Sequence, residues 1–337
     1  MKKVAVVILN WNGEKLLKEF LPSVVAFTPN DLADVIVADN GSTDNSLSIL
    51  KTDFPSVQTI VLPENFGFAE GYNKALADLT HEYVVLLNSD VRVTENWLES
   101  LVSYLDSHPE AAACQPKIRA HRSPEYFEHA GACGGYIDIL GYPFCRGRLI
   151  THVEKDNSQY DTITPIFWAT GACLFIRLDE YKEVGGLDGT FFAHMEEIDL
   201  CWRLNARGKE IVCIPQSTVY HLGAATLSVE SPHKTYLNFR NNLLMLYKNL
   251  PNGWLWGILV ARMLLDILAM TTMAMKGQFG NSSAVARAIV DFYLHKNRYK
   301  TKKVENRLKS TSKNFPTLYR GSIVFDFFIL RKRSIKM

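Results

Sequence analysis

The sequence has no C-x-x-C pair. Its six cysteines (Cys114, Cys133, Cys145, Cys173, Cys201 and Cys213) are scattered, which argues against a zinc ribbon or a thioredoxin-type redox site and reads as reduced core thiols. Neither G-x-G-x-x-G nor G-x-x-x-x-G-K-[ST] is present, so a dinucleotide Rossmann site and a P-loop are both unsupported. No short repeat period is visible, which argues against a solenoid. Met1-Lys2-Lys3 and the apolar run 4–9 look superficially like a signal peptide. The run is too short, Asn10 and Asn12 end it, and no small-residue cleavage site follows, so it reads as a buried first strand. A large charge imbalance is missing too: 37 Lys+Arg face 35 Asp+Glu in 337 residues, for a net charge of +2. That balance conceals a split. Residues 296–337 carry 13 basic side chains and two acids, leaving a tail of +11 on a body of −9. Such a tail points to an anionic partner.

What is present is a globular composition, 47% hydrophobic and 21% charged, with length enough for a sizeable core. Over the first 120 residues short β-branched runs (4–9, 35–38, 57–62, 83–87) alternate with helical patterns near 14–27, 45–53, 69–79 and 97–107. Continuous apolar strands alternating with helices predict an α/β fold, a Rossmann-like, mostly parallel sheet with helices on both faces. In such sheets ligands sit beyond the C-terminal strand ends. Each strand ends in a polar cluster: Asn10-Trp11-Asn12-Gly13, Asp39-Asn40-Gly41-Ser42-Thr43-Asp44, Glu64-Asn65-Phe66-Gly67 and Asn88-Ser89-Asp90. Four clusters on one edge make a candidate site.

Individual residues admit a structural reading beside the functional one. Asp39 suits a turn, or a hydrogen bond from a nucleobase imide. Asp44 reads as a helix N-cap. Asp90 suits a turn, or a hard divalent cation that bridges phosphate oxygens. Gly67 and Gly71 bracket a helix start whose free amides could meet a phosphate. Glu196, Glu197 and Asp199 either decorate a helix N-terminus or supply a general base. His221, after a short strand at 218–220, is a candidate metal ligand once acids surround it.

Taken in order, these clusters resemble the inverting glycosyltransferases of family 2, with the GT-A fold, and within them the rhamnosyltransferase-like branch. The resemblance covers about residues 1–250 and adds Asn65-Phe66-Gly67-Phe68-Ala69-Glu70-Gly71-Tyr72-Asn73, Gly171-Ala172, and Gly185-Gly186-Leu187-Asp188 leading to Glu196-Glu197-Ile198-Asp199. It implies donor contacts from Asn10, Asp39, Asn65, Gly67, Asn73, Ser89, Asp90, Gly171 and Ala172. It implies Glu197 as catalytic base, with Glu196 and Asp199 as fallbacks. Asp90 and His221 would hold a divalent cation, Mn2+ or Mg2+. Two departures stand out: Asn88 replaces the first acid of the family's DxD motif, and Glu197 replaces the commoner Asp. The implied donor is a nucleotide-sugar, dTDP-rhamnose or a UDP-sugar. The implied acceptor is a saccharide or lipid-linked saccharide hydroxyl, in cell-surface polysaccharide synthesis. A processive synthase would show several spanning helices and Q-x-x-R-W, neither of which is present, and a sugar-nucleotide pyrophosphorylase would show a Gly-rich, Arg-containing loop after the first strand. The rival from another class is a catalytically silent binding or scaffold subunit, to which Asn88 alone points.

The expected organisation is a catalytic domain over 1–230, split into a nucleotide-binding half (1–120) and an acceptor-binding half (121–230), then a helical, basic, membrane-associating region over 231–337. Residues 254–275 are long enough to span a bilayer, but Arg262 and Asp266 at i, i+4 fit a surface or core helix better. Residues 284–294 repeat the pattern with Arg287 and Asp291. The basic run 296–313 and the aromatic run 323–330, capped by Arg331-Lys332-Arg333, suit an anionic membrane surface better than nucleic acid. The expected location is cytoplasmic, peripheral on the inner face of the membrane.

Overall fold

A computed structural model describes residues 2–223, 231–312 and 315–337. The first half alternates as expected: β1 (Val4–Asn10), α1 (Glu14–Phe27), β2 (Ala33–Asn40), α2 (Ser46–Asp53), β3 (Gln58–Leu62), α3 (Gly67–Leu76), β4 (Tyr83–Asn88), β5 (Val91–Arg92) and α4 (Glu99–Ser107). Strands β3, β2, β1 and β4 lie side by side and parallel. The alternation within β1 explains the two core layers. Val4, Val6 and Ile8 pack with Leu17, Leu21 and Val24 of α1, while Ala5 and Val7 pack with Ala69, Tyr72 and Leu76 of α3. Burying each of these larger apolar side chains contributes about 2 kcal/mol.

The chain then adds β6 (Ala111–Ala120), a small sheet of β7 (Gly135–Asp138), β8 (Pro143–Cys145), β9 (Arg148–Leu149) and β10 (His152–Val153), and the edge strand β11 (Thr164–Pro165). Next come β12 (Cys173–Arg177), α5 (Leu178–Glu183), α6 (Glu196–Ala206) and β13 (Glu210–His221). β12 inserts antiparallel between β4 and β6, and β13 lies parallel to β6. His221 therefore ends a 12-residue strand that is irregular between Ile214 and Thr218, not the short one expected at 218–220. All six cysteines are buried and free.

The C-terminal part holds α7 (Pro232–Asn249), α8 (Asn252–Met275), α9 (Phe279–His295), α10 (Lys300–Leu308), β14 (Leu318–Tyr319) and α11 (Ile323–Phe328). It is woven into the body rather than hung from it. β14 joins the small sheet beside β7, and the Ile323 amide donates to Asp138 Oδ2. Lys302 pairs with Asp188 at 2.7 Å, Lys309 with Glu305 and Lys332 with Asp326. Part of the tail's charge is thus spent on internal acids. Arg262 and Asp266 do pair on one face of α8, at 3.3 Å. Asp291 pairs with His295 rather than with Arg287, which lies over the Tyr236 ring. Helix α8 is long and apolar enough to cross a membrane by length and composition, but its Arg262 face packs on the loop at Leu140 and Tyr142. The ends of two expected segments, 224–230 of the acceptor-binding half and Lys313 of the basic run, lie outside the described residues.

Candidate active site

The β1 and β2 ends meet. Asn10 donates to Asp39 Oδ1 (3.0 Å) and Ser42 Oγ (3.3 Å), and the Ser42 amide donates to Asp39 Oδ2 (2.9 Å). Asn10 Oδ1 stays buried and without a partner. A Cβ at position 13 would fall 2.2 Å from that oxygen, so only glycine lets the chain turn there. Asp44 accepts from the Glu14 and Ser46 amides, so it ties the starts of α1 and α2 together.

At the β3–α3 junction the amides are already used. Asn65 Oδ1 accepts from the Gly67 N–H, and the Phe192 carbonyl accepts from Phe68 (2.7 Å) and Ala69 (3.2 Å). Gly67 has φ +75, and a Cβ there would strike the Phe192 ring. The expected free helix start is therefore filled by protein. Asn73 also departs from its expected donor role. Its amide donates to Glu70 and Leu187, and its oxygen accepts from Tyr181 and Leu187, so it holds the turn at Leu187.

Beyond β4, Asp90 and His221 come together because β5 pairs with the end of β13. Asp90 Oδ1 lies 3.1 Å from His221 Nε2, and Asn88 Nδ2 lies 3.4 Å from the same nitrogen, with Ser89 in the turn between. On the other side Glu128 Oε2 stands 3.4 Å from His221 Nδ1. Burial alone would lower the His221 pKa, but the two carboxylates outweigh it and raise it to about 10. Burial pushes Glu128 up, yet His221 and the Ala130 N–H bring it net below its ordinary value. Among the described residues no group of three His, Cys, Asp or Glu forms a cation cage. The pair nevertheless fits a divalent cation, with one carboxylate, one imidazole nitrogen, and a second carboxylate behind to fix the ring.

The acid helix is treated in the opposite way. Glu196 is buried and Glu197 half-buried, and each leaves Oε2 without a partner. Burial raises both: Glu197 to about 7, and Glu196 well above its usual range, with Glu197 adding to the effect. Asp199, offered above as a fallback base, is not free for that task. It is fully buried and held by Arg203 (3.0 Å), Lys248 (3.0 Å) and Asn249 (2.8 Å).

One short segment joins the two acid groups. The Ala172 carbonyl accepts from the Asn88 N–H (3.0 Å), and Thr170 Oγ1 donates to the Ala130 carbonyl, next to Glu128. A Cβ built on Gly171 would stand 3.9 Å from Glu197 Cβ and 3.1 Å from the Phe68 ring. Gly171 is thus packed between the Phe68 ring and the unpaired acid, at a spacing that a side chain would crowd.

The loop ahead of the acid helix is left-handed at three non-glycine residues, Phe192, His194 and Met195. Such a run is strained by roughly 1–2 kcal/mol per residue. Asn241 of α7 offsets it, donating to the carbonyls of Phe191 (3.0 Å), Ala193 (2.9 Å) and His194 (2.8 Å). Asp188, before this loop, is held well below its usual range by Lys248 and Lys302, against the push of burial. Sequence reading missed Glu128 and Asn241. Asn241 left a signal, the polar run Arg240-Asn241-Asn242 inside a helix; Glu128 left none.

Residues 5–165 match the protein-family model described as Glycosyl transferase family 2. The chain contains a glycosyltransferase family 2 domain. It is a glycosyltransferase, with the GT-A fold of its structural neighbours. Among curated relatives this glycosyltransferase is 27% identical, over 236 residues, to the N-acetylglucosaminyl-diphospho-decaprenol L-rhamnosyltransferase of Mycobacterium tuberculosis, covering 64% of this chain and 75% of that one. It is 23% identical to the rhamnosyltransferase WbbL of Escherichia coli, covering 46% of this chain and 61% of the relative. Among solved structures, S. aureus TarS 1-349 in complex with UDP-GlcNAc aligns with a TM-score of 0.57 at 17% identity, covering 91% of this chain and 89% of that one. The mannosyltransferase PcManGT from Pyrobaculum calidifontis, in complex with GDP-Man and Mn2+, aligns with a TM-score of 0.53 at 15% identity, covering 92% and 86%.

Proposed function

We propose that this glycosyltransferase is non-processive and inverting. It moves a sugar from a nucleoside-diphosphate sugar, dTDP-rhamnose or a UDP-sugar, to a hydroxyl of a lipid-linked saccharide in cell-surface polysaccharide synthesis. The observation that carries this reading is Glu197: a half-buried carboxyl with a free oxygen, titrating near 7, beside the bare backbone of Gly171. A base needs a pKa near the working pH and an oxygen not already committed to another partner. Glu197 takes the proton of the acceptor hydroxyl while that oxygen bonds to the anomeric carbon. The bond from that carbon to the diphosphate oxygen breaks, the nucleoside diphosphate leaves with the electron pair, and configuration inverts.

Asn10, Asp39 and Asn65 hold the base and ribose end of the donor. Ser89, Gly171 and Ala172 line its sugar and phosphates. Asp90 and His221 hold a divalent cation, Mn2+ or Mg2+, with Glu128 fixing the imidazole. When bound, that cation supplies positive charge for the departing diphosphate. The rhamnosyltransferase relatives support the donor and acceptor class, and the enzyme works on the cytoplasmic face of the membrane as a peripheral protein. Turnover of a panel of nucleotide-sugars by the wild type and by Glu197→Gln tests the reading. The wild type turns over one donor and the variant binds that donor without transferring. A wild type that binds but never transfers, with or without Mn2+, would identify a silent binding subunit instead.

A further inference from the structure

We infer that the outer face of the α8–α9 hairpin lies on a phospholipid surface, with a headgroup phosphate seated in the cavity where α8 begins. This rests on the membrane reading above and adds a particular apolar face to the basic tail, from which it takes Lys303 and Arg307.

Helix α8 is built with its charge inward. Its only charged residues, Arg262 and Asp266, are both buried. They bind the Leu140 carbonyl (3.1 Å), Asn242 (2.6 Å), Tyr142 (3.3 Å) and each other. The opposite face presents Trp254, Trp256, Val260, Leu264, Leu268 and Met275, which are 53% to 80% exposed. These positions recur at helical spacing along a helix of about 36 Å. No charge interrupts them. On α9, Phe279, Val290 and Leu294 are also exposed, with the exposed Arg287 near Val290 and Leu294. The two helices are held as one unit, with Tyr293 of α9 reaching Met263 of α8. An apolar stripe this long, with two tryptophans at one end, fits an in-plane interfacial helix better than a soluble surface.

A second, separate feature says what covers it. Beside the tryptophan end is a cavity of about 350 Å³, lined among others by Asn252, Gly253, Lys303, Asn306, Arg307 and Ser310. No carboxylate lines it. Asn252 and Gly253 open α8 with no side chain capping them, so a positive helix end faces an acid-free wall. Lys303 lies over the Tyr247 ring, 4.6 Å away, rather than against an acid, and burial and Arg307 both lower its pKa. Two cations that repel each other around an open cavity are complementary to a phosphate. A second copy of this chain would bring two such sets together on an uncharged face, which charge disfavours. A phosphate-headed amphiphile satisfies both features at once.

The test is flotation of the full-length protein with phosphatidylglycerol–phosphatidylethanolamine vesicles and with pure phosphatidylcholine vesicles. The wild type floats with the anionic vesicles. The double variant Leu264→Glu, Leu268→Glu, both on exposed positions, partitions at least roughly tenfold less. Lys303→Ala with Arg307→Ala loses the preference for anionic over neutral vesicles and keeps the weaker neutral binding. Inorganic phosphate does not release the wild type. Thermal unfolding of each variant confirms that the fold is intact. Both double variants floating like the wild type would overturn the assignment of this face while leaving the membrane reading standing. A wild type that floats with neither vesicle would end that reading as well. Release by inorganic phosphate would replace the headgroup with free phosphate. A dimer that the Leu264, Leu268 variant disrupts, without flotation, would assign the face to a second copy.

Discussion

The two acid clusters of the active site differ in how their charge is handled. Asp90 and Glu128 flank one imidazole, whose positive charge when protonated offsets one of their two. Glu196 and Glu197 are set in a low-dielectric helix start with no cation against their free oxygens. The first arrangement holds its carboxylates against a cationic ring. The second raises the carboxyl of Glu197 so that it titrates near neutral pH. On the proposed reading, similar side chains sorted by their neighbours would take different roles in one reaction.

The difference can be broken from either side. The largest effect belongs to the unpaired side: Glu197→Gln lowers the transfer rate by about a thousandfold or more in single-turnover assays, with donor affinity nearly unchanged. On the paired side, Asp90→Ala or chelation of divalent cations lowers transfer by on the order of a hundredfold, and Mn2+ titration shows the lost affinity. Glu128→Gln, which touches neither donor nor cation, weakens Mn2+ binding by roughly 10- to 100-fold through the His221 ring, read by electron paramagnetic resonance. Asn241→Ala frees the left-handed loop. It costs about 1–3 kcal/mol of stability in urea unfolding and raises KM less than it lowers kcat. The smallest effect concerns the fold alone. Glu197 has its folded pKa raised from 4.5 to about 7, so folding favours its protonated form. The resulting destabilisation is absent below pH 4.5, grows as pH rises to about 7, and stays constant above. Glu197→Gln should therefore melt higher than wild type at pH 8 and at the same temperature near pH 4.

The strand–helix alternation over the first 120 residues was legible, with most element ends within two or three residues. The run 14–27 is α1 to the residue, because its apolar spacing meets a polar loop at each end. Gathering of Asp90 with His221 was expected from the family's motifs, whereas the approach of Gly171 to Glu197 came from the structure alone. What the motifs concealed was which polar atoms the protein keeps for itself. Asn73 and Asp199 sit in good motif positions and are bound into the fold, because Tyr181 of α5 and Asn249 of α7 arrive from far along the chain and Arg203 turns back on Asp199 one helical turn away. Glu128 was invisible for the same reason: an irregular stretch brings it to His221, 93 residues later in the numbering. The tail's summed charge did not show which of its cations are paired or where the apolar surface lies. Lys302 reaches in to the buried Asp188, and the long apolar stripe stands on α8, whose two charges turn inward.

The central claim is that Glu197 is the base and its burial sets the working pH. The pH dependence of single-turnover transfer, at saturating donor and cation, measures this directly. Because the base must be deprotonated, the rate should rise with pH through one ionisation near 7, and the residual rate of Glu197→Gln should lose that step. An unchanged profile and rate in Glu197→Gln would contradict the account.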